Sequence, residues 1–260
     1  MKTVRKALAL LHHFTVDQPH WGLSDLARAA GLDKAGTLRL LRPLVDDGML
    51  EQDPNSRKYR LGYRALTLAQ VREASFPLVE LMQPVLNQLA QTVGEVAHAS
   101  VAEAKAMRTV AVANAVQRAT RVFVDPSEAL PYHATASGMA CLAFAEPTWA
   151  RERLTHAPYV SVTTETPHDA GDLAPYLALA KQRGYATTRD TFEAEVTGTA
   201  VPIFDARGYA QGAVAIAAPS SRVDDERIRE FVRQLKPAAQ AITQSLGGVV
   251  PPSWLALLEE

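Results

Sequence analysis

The chain has 260 residues, 47% hydrophobic and 21% charged, which is enough apolar material for one large domain or two smaller ones. No apolar run approaches membrane-spanning length, and the first residues, Met1-Lys2-Thr3-Val4-Arg5-Lys6, lack the pattern of a secretory leader, so a soluble cytoplasmic protein without a membrane partner is expected. The single cysteine, Cys141, excludes an internal disulfide and argues against a thiolate metal cluster, and the formal net charge of −1 conceals a division: residues 1–66 carry eleven Lys or Arg against seven Asp or Glu, leaving 16 against 21 in the remainder.

In chain order, Val4, Leu8, Leu11 and Phe14 recur at helical spacing and predict a first helix, which Pro19-His20-Trp21-Gly22 interrupts. A short helix follows through Leu26, Ala27 and Ala30, and Gly31 stops it. Asp33 is a suitable cap for a third helix, with Leu38, Leu41, Leu44 and Val45 on its buried side, Pro43 inside it and Gly48 after it. Two extended pieces, Met49–Gln52 and Lys58–Leu61, flank the turn Asp53-Pro54-Asn55-Ser56. Helix, helix, tight glycine turn, helix and hairpin is the order of a winged helix-turn-helix.

A long helical stretch is predicted from Tyr63 to about Gln91, with Pro77 and Pro84 as restarts or kinks and Arg64–Ser75 as a linker helix. Beyond it, extended segments are expected at Val96–Val101, Thr109–Ala113, Arg121–Val124, Tyr185–Arg189, Gly198–Phe204 and Gly212–Ala217. Helices are expected at Ala136–Ala145, Thr148–Leu154, Leu173–Arg183 and Asp224–Leu246. The fold class is therefore α+β. The expected divisions are a winged helix over 1–63, a linker helix over 64–75, a sensor domain with a mostly antiparallel sheet over 76–248, and a tail over 249–260 whose Trp254, Leu255, Leu257 and Leu258 are able to dock.

In a helix-turn-helix the second helix of the motif enters the major groove. Here that is the helix beginning at Lys34, from which Lys34, Thr37, Leu38 and Arg42 are candidates to face DNA, with Arg39 the leading candidate for a base or phosphate contact. The wing adds Arg57, Lys58 and Arg60 for phosphate. The same charges on a protein-interaction module would be merely solvated, and Pro43 weighs toward that alternative by removing a backbone donor.

Several segments together resemble the IclR family of bacterial regulators: Leu23-Ser24-Asp25-Leu26-Ala27, Gly31-Leu32, Leu38-Arg39-Leu40-Leu41 and Tyr59-Arg60-Leu61-Gly62 in the first domain, then Leu130-Pro131-Tyr132-His133-Ala134-Thr135-Ala136-Ser137-Gly138, Gly184-Tyr185-Ala186, Ala200 to Asp205 and Gly212-Ala213-Val214. The resemblance spans Val4 to Leu246. It implies a GAF-like effector-binding domain, a homodimer through the DNA-binding domains or a dimer of dimers, double-stranded operator DNA as partner, and a small organic acid, aromatic acids included, as effector. Matched position by position, it gives Val122 and Leu130 as walls of the effector pocket, Ala136 and Ser137 as the anion seat, and Thr188, Val196 and Gly198 opposite. The chain departs from the family pattern at Ala35-Gly36, where Ser-Thr is usual, at Met139 for Lys, Thr188 for an acid, Gly198 for Cys and Glu195 for Gly. The glycine at 36 weakens its helix by about 1 kcal/mol relative to alanine.

Thr135 is equally suited to capping its helix and to binding, and His133 reads as structural. Cys141 reads as core, and Asp190, Glu193 and Glu195 match no metal spacing. No cofactor and no metal is expected. Enzymatic function would require a nucleophile elbow or a Walker-type loop, and neither occurs. The expectation is a ligand-responsive DNA-binding regulator, the alternative a winged-helix adaptor that does not bind DNA specifically.

Overall fold

The chain divides into two units, Met1–Pro77 and Leu78–Glu260, and the computed structural model describes residues 2–15, 18–75, 78–115 and 121–258 of them. The expected restart at Pro77 and the last two residues of the expected tail lie outside the described residues.

The first unit holds α1 (Lys2–Leu11), α2 (Leu23–Ala29), α3 (Lys34–Asp46), the hairpin β1 (Leu50–Gln52) and β2 (Tyr59–Leu61), and α4 (Tyr63–Ser75). Its core is Leu10, Leu26, Leu40, Leu41, Leu50 and Tyr59. Complete burial of a leucine contributes about 1.5–3 kcal/mol, so this small set is the main source of stability for the unit. Gly31 supplies the left-handed conformation (φ +65°) between α2 and α3 that a side chain would strain. Trp21 and Tyr59 exchange backbone hydrogen bonds of 2.9 and 2.7 Å, which ties the loop before α2 to the wing. Pro43 does not end α3, which runs on to Asp46 with the proline ring on its exposed side.

The apolar spacing that announces α1 does not mark its buried face. Leu10 is buried, whereas Val4 and Leu8 are 63% and 52% exposed. On α4, Tyr63, Leu66, Leu68 and Val71 are exposed too.

The second unit is built on a six-stranded sheet of order β5-β4-β3-β8-β7-β6, with every neighbouring pair antiparallel. Its strands are β3 (Val96–Ala102), β4 (Met107–Ala113), β5 (Ala129–Leu130), β6 (Ala186–Arg189), β7 (Val196–Phe204) and β8 (Ala210–Pro219). Residues alternate between the two faces as strand geometry requires. Val214, Ile216 and Ala218 of β8 join the core made by α5 (Leu78–Val93) and α9 (Asp225–Ser245). Ala213 and Ala215 join the core made by α6 (Ala136–Phe144), α7 (Pro147–His156) and α8 (Ala170–Arg183).

One expectation needs correction. The segment Arg121–Val124 forms no strand; the edge strand β5 comes later, where Leu130 pairs with Met107 and Ala129 with Arg108. The β-branched and aromatic run Val122-Phe123-Val124 reads as a strand, but it is followed by Pro126 and by a turn in which Asp125 accepts from both the amide and the hydroxyl of Ser127. The segment 249–258 carries α10 (Pro252–Leu257), buries Trp254 against Phe204, and bonds the Trp254 indole N–H to the Gly184 carbonyl at 2.7 Å.

Candidate functional site

In the first unit the geometry of α3 sorts the sequence candidates. Thr37, Leu40 and Leu41 turn inward, and Lys34, Arg39 and Arg42 are exposed, with Leu38 half-buried at the boundary. Thr37 therefore drops out as a DNA contact: it is fully buried, and its hydroxyl donates to the Asp33 carbonyl at 2.9 Å. Threonine reads as polar and outward in a sequence, yet its methyl packs and its hydroxyl satisfies the preceding turn.

Asp33 caps α3 by accepting from the Gly36 amide at 2.7 Å, and that hydrogen bond lowers the carboxyl pKa. A Cβ at residue 36 would lie 2.9 Å from the Asp33 carboxylate, so the departure at Ala35-Gly36 lets the cap seat closely. The positive end of α3 thus carries its own anion. The wing presents Arg57, Lys58 and Arg60 on its exposed side. Arg57 adopts a left-handed conformation (φ +58°) at the end of a turn closed by Asp53. Arg60 is paired with Glu51 through Nε and Nη2 at 3.1 and 3.0 Å. Both partners are about half exposed, and such pairs contribute roughly 0–1 kcal/mol, so phosphate can displace this one.

In the second unit the seven residues assigned to the pocket all line one cavity of ≈ 80 Å³: Val122, Leu130, Ala136, Ser137, Thr188, Val196 and Gly198. One water needs about 10–15 Å³ on the same measure, so the space suits a small organic molecule. Its wall is formed by the start of α6, by β3, β6, β7 and β8, and by the segment 122–130 in place of the expected strand. Gly198 on β7 sits so close to α6 and β6 that a Cβ there would lie 3.2 Å from both the Ala136 Cβ and the Thr188 Oγ1. The missing side chain therefore allows the helix start to approach the sheet and adds little to the cavity.

Thr135 is the cap of α6. Its Oγ1 accepts from the Gly138 amide at 3.1 Å and donates to the Pro131 carbonyl at 2.9 Å, which commits its proton. The amides of Ala136 and Ser137, in the first turn, have no acceptor among the described residues. Hydroxyl-capped, buried and open to a cavity, this helix start is able to receive an anion.

A residue that the sequence did not single out completes the wall. His98 on β3 is 7% exposed, and its Nε2 lies 3.3 Å from Ser137 Oγ. Burial lowers its pKa to about 4, so the ring is neutral at physiological pH. Ala97 and Ala99 belong to the opposite core, which places His98 on the α6 side. The available signal was a histidine inside the otherwise apolar or small run Val96–Val101.

Other singled-out residues lie elsewhere. His133 bonds the Val160 carbonyl at 3.1 Å and leans on Tyr159 in a separate, larger cleft of ≈ 650 Å³. Of the basic groups of that cleft, Arg153 lies over the Trp149 ring and His156 bonds the Glu152 carbonyl, and Lys105 lines it as well. Cys141 is fully buried, and burial pushes its thiol up to about 12, as suits a core residue. Asp190 accepts from Ser220 Oγ and Glu195 is exposed; among the described residues no group of three metal-ligating side chains converges.

Comparison with known proteins bears on both units. Residues 3–54 match the IclR helix-turn-helix domain, and residues 73–244 match the C-terminal domain of bacterial IclR transcriptional regulators. The chain belongs to the IclR family. It is 28% identical to the glycerol operon regulatory protein of Streptomyces griseus over 254 residues, covering 95% of this chain and 97% of that one. It is 25% identical to the transcriptional regulator XynR of Escherichia coli K12 over 247 residues, covering 95% and 98%. Among solved structures, an IclR-type regulator from Silicibacter sp. TM1040 superposes with a TM-score of 0.85 at 37% identity, covering 96% and 98% of the two chains. An IclR homologue from Microbacterium hydrocarbonoxydans, complexed with 4-hydroxybenzoate, superposes with a TM-score of 0.75 at 27% identity, covering 94% and 98%. Among the described residues of this IclR-family chain no helix is long and apolar enough to cross a membrane.

Proposed function

We propose that this IclR-family chain is a transcription regulator whose affinity for a double-stranded operator is set by a small organic acid. The exposed face of α3 reads the major groove through Lys34, Arg39 and Arg42, with Leu38 available to a thymine methyl. Arg57, Lys58 and Arg60 hold the phosphate backbone from the wing. The effector occupies the cavity lined by Val122, Leu130, Ala136, Ser137, Thr188, Val196 and Gly198. The observation that carries this reading is the pair of Ala136 and Ser137 amides, without acceptors among the described residues and lining a cavity, in a chain whose other unit matches a helix-turn-helix. The 4-hydroxybenzoate complex of the Microbacterium homologue supports an aromatic acid.

Two copies are needed to read a two-fold operator, and the exposed apolar side chains Val4 and Leu8 on α1 and Tyr63, Leu66 and Val71 on α4 suit a homodimer contact within the first unit. The test is binding of the purified protein to DNA upstream of its own gene at two salt concentrations, beside Arg39→Ala, with 4-hydroxybenzoate as a first effector. Tight binding that salt weakens and the variant lacks is the expected result. Absence of specific binding both there and in a selection from random sequences would move the assignment to a protein-interaction adaptor.

A further inference from the structure

The cleft of ≈ 650 Å³ is a space apart from the cavity at the start of α6, and the two share no lining residue. Within the run 129–136, Leu130, Thr135 and Ala136 line the cavity, whereas Ala129, Pro131, Tyr132 and His133 line the cleft. The rest of the cleft is made by the turn between β3 and β4, by the end of α7 and by the residues that follow it. Alanine, proline and valine predominate in its lining; Lys105 and Arg153 are its fixed cations and Glu152 its acid.

Arg153 is built into this wall. Its side chain is 18% exposed, and its guanidinium lies 3.9 Å over the Trp149 ring, which meets Tyr132 edge-on at 5.7 Å. The Tyr132 hydroxyl in turn donates to the Glu103 carbonyl at 2.8 Å, which anchors the stack. The donors of the guanidinium are nevertheless poorly used. Nη1 has two acceptors, both at 3.4 Å: the Trp149 carbonyl and the carboxylate of Glu152, a side chain 65% exposed. Nη2 has no acceptor among the described residues, and Nε is shut in without one. Taking a charged group out of water is unfavourable unless short charge-assisted bonds replace the solvent. An anion brought to Nη2 supplies such bonds, and the indole already holds the planar fork still, so little ordering is lost on binding.

Lys105 sits in the tight turn that the Glu103 amide closes on the Ala106 carbonyl at 3.1 Å. It is exposed and has no ion pair among the described residues, its neighbour Glu103 being held by Arg108. The two histidines of the cleft are occupied, each on a backbone carbonyl.

We propose that this cleft is a second ligand site, for an amphipathic organic anion whose charged group is bound by Arg153 and attracted by Lys105 and whose apolar body lies on the alanine, proline and valine lining. The space is far roomier than the ≈ 80 Å³ cavity and suits a body of two fused rings. The proposal stands independently of the reading of the smaller cavity as the effector site.

The probe is 6-bromo-2-naphthoate. It is titrated calorimetrically into the full-length protein in the presence of 4-hydroxybenzoate, and located in crystals by the anomalous scattering of bromine. A bromine signal in the cleft beside Arg153 is expected, and the neutral 6-bromo-2-naphthamide should bind at least about tenfold more weakly. Arg153→Met, which keeps a side chain over the indole, should weaken naphthoate binding at least about tenfold. Lys105→Ala, at an exposed position, should weaken it about threefold, with melting temperatures recorded for both variants. Should Arg153→Met fail to fold, the decision passes to Lys105→Ala. Bromine found only in the smaller cavity or nowhere, an amide that binds as tightly as the acid, or unchanged affinity in the deciding variant would each overturn the second site. None of these outcomes bears on the smaller cavity, which titration with 4-hydroxybenzoate alone tests.

Discussion

Two helices in this protein begin in the same way and end up with opposite capacities. In the first unit α3 is capped by Asp33, and in the second α6 is capped by Thr135; each side-chain oxygen accepts from the amide three residues on. Asp33 brings a full negative charge to the positive end of its helix, whereas Thr135 brings a neutral hydroxyl whose proton is committed to the Pro131 carbonyl. The first helix start carries its own anion, and the cations Lys34, Arg39 and Arg42 lie exposed along the helix. The second leaves its first two amides without an acceptor among the described residues, beside a cavity. The chemistry of one capping residue thus separates a helix start that carries its own anion from one capped by a neutral hydroxyl.

The comparison can be broken most severely at Thr135. Thr135→Asp would make the two caps alike by placing a carboxylate beside the seat. Two like charges about 4 Å apart at an effective dielectric near 20 repel by about 4 kcal/mol, so acid binding should fall at least about a hundredfold by calorimetry, with circular dichroism confirming the fold. The next effect concerns stability. Burial sets the pKa of folded His98 at about 4, below the ordinary 6.5, so the unfolded chain takes up the proton first. Stability should therefore decline as pH falls from about 6.5 toward 4, by about 3 kcal/mol in all, from this residue. Urea unfolding at a series of pH values should show that decline in the wild type and lose it in His98→Gln, the difference removing the common contribution of carboxylates.

On the DNA side, Arg39→Ala should weaken operator binding by about 1–3 kcal/mol if the side chain reads a base, and relax preference at that position. If it contacts phosphate, binding should weaken on all sequences and the salt slope should fall by about one unit. Asp33→Asn keeps the cap and removes its charge, sharpening the comparison from the other side. Operator affinity in fluorescence anisotropy should rise several-fold at low salt, with little change at high salt. The smallest effect is expected for Glu51→Gln, which frees Arg60 from an exposed pair and should alter stability by under about 1 kcal/mol.

Elements with a strong period or a clear stop were legible in the sequence: the winged helix, α4, α5 and α9, and the order of the long strands. The seven pocket positions came from the resemblance alone, because nothing in their own spacing brings residue 122 near residue 198. His98 escaped since β3 is buried on both faces, and a strand without polar alternation does not say which side faces a cavity. Val122-Phe123-Val124 has strand composition, but a strand also needs a neighbour to bond, and that information is not local. Thr37 was misread for the converse reason, its polarity being satisfied within its own turn.

The centre of the sheet is the pairing of β3 with β8, where Val96 lies opposite Ala217 and His98 opposite Ala215. These strands come from opposite ends of the unit, so this seam carries a high loop-closure cost and belongs to the slow, non-local part of folding. The cavity straddles the seam, taking His98 from one strand and Ala215 and Ala217 from the other. A partly folded chain in which the seam has not closed has no complete pocket. A ligand that enters the cavity bridges both strands, so the unit must part them and shed its ligand before it can unfold.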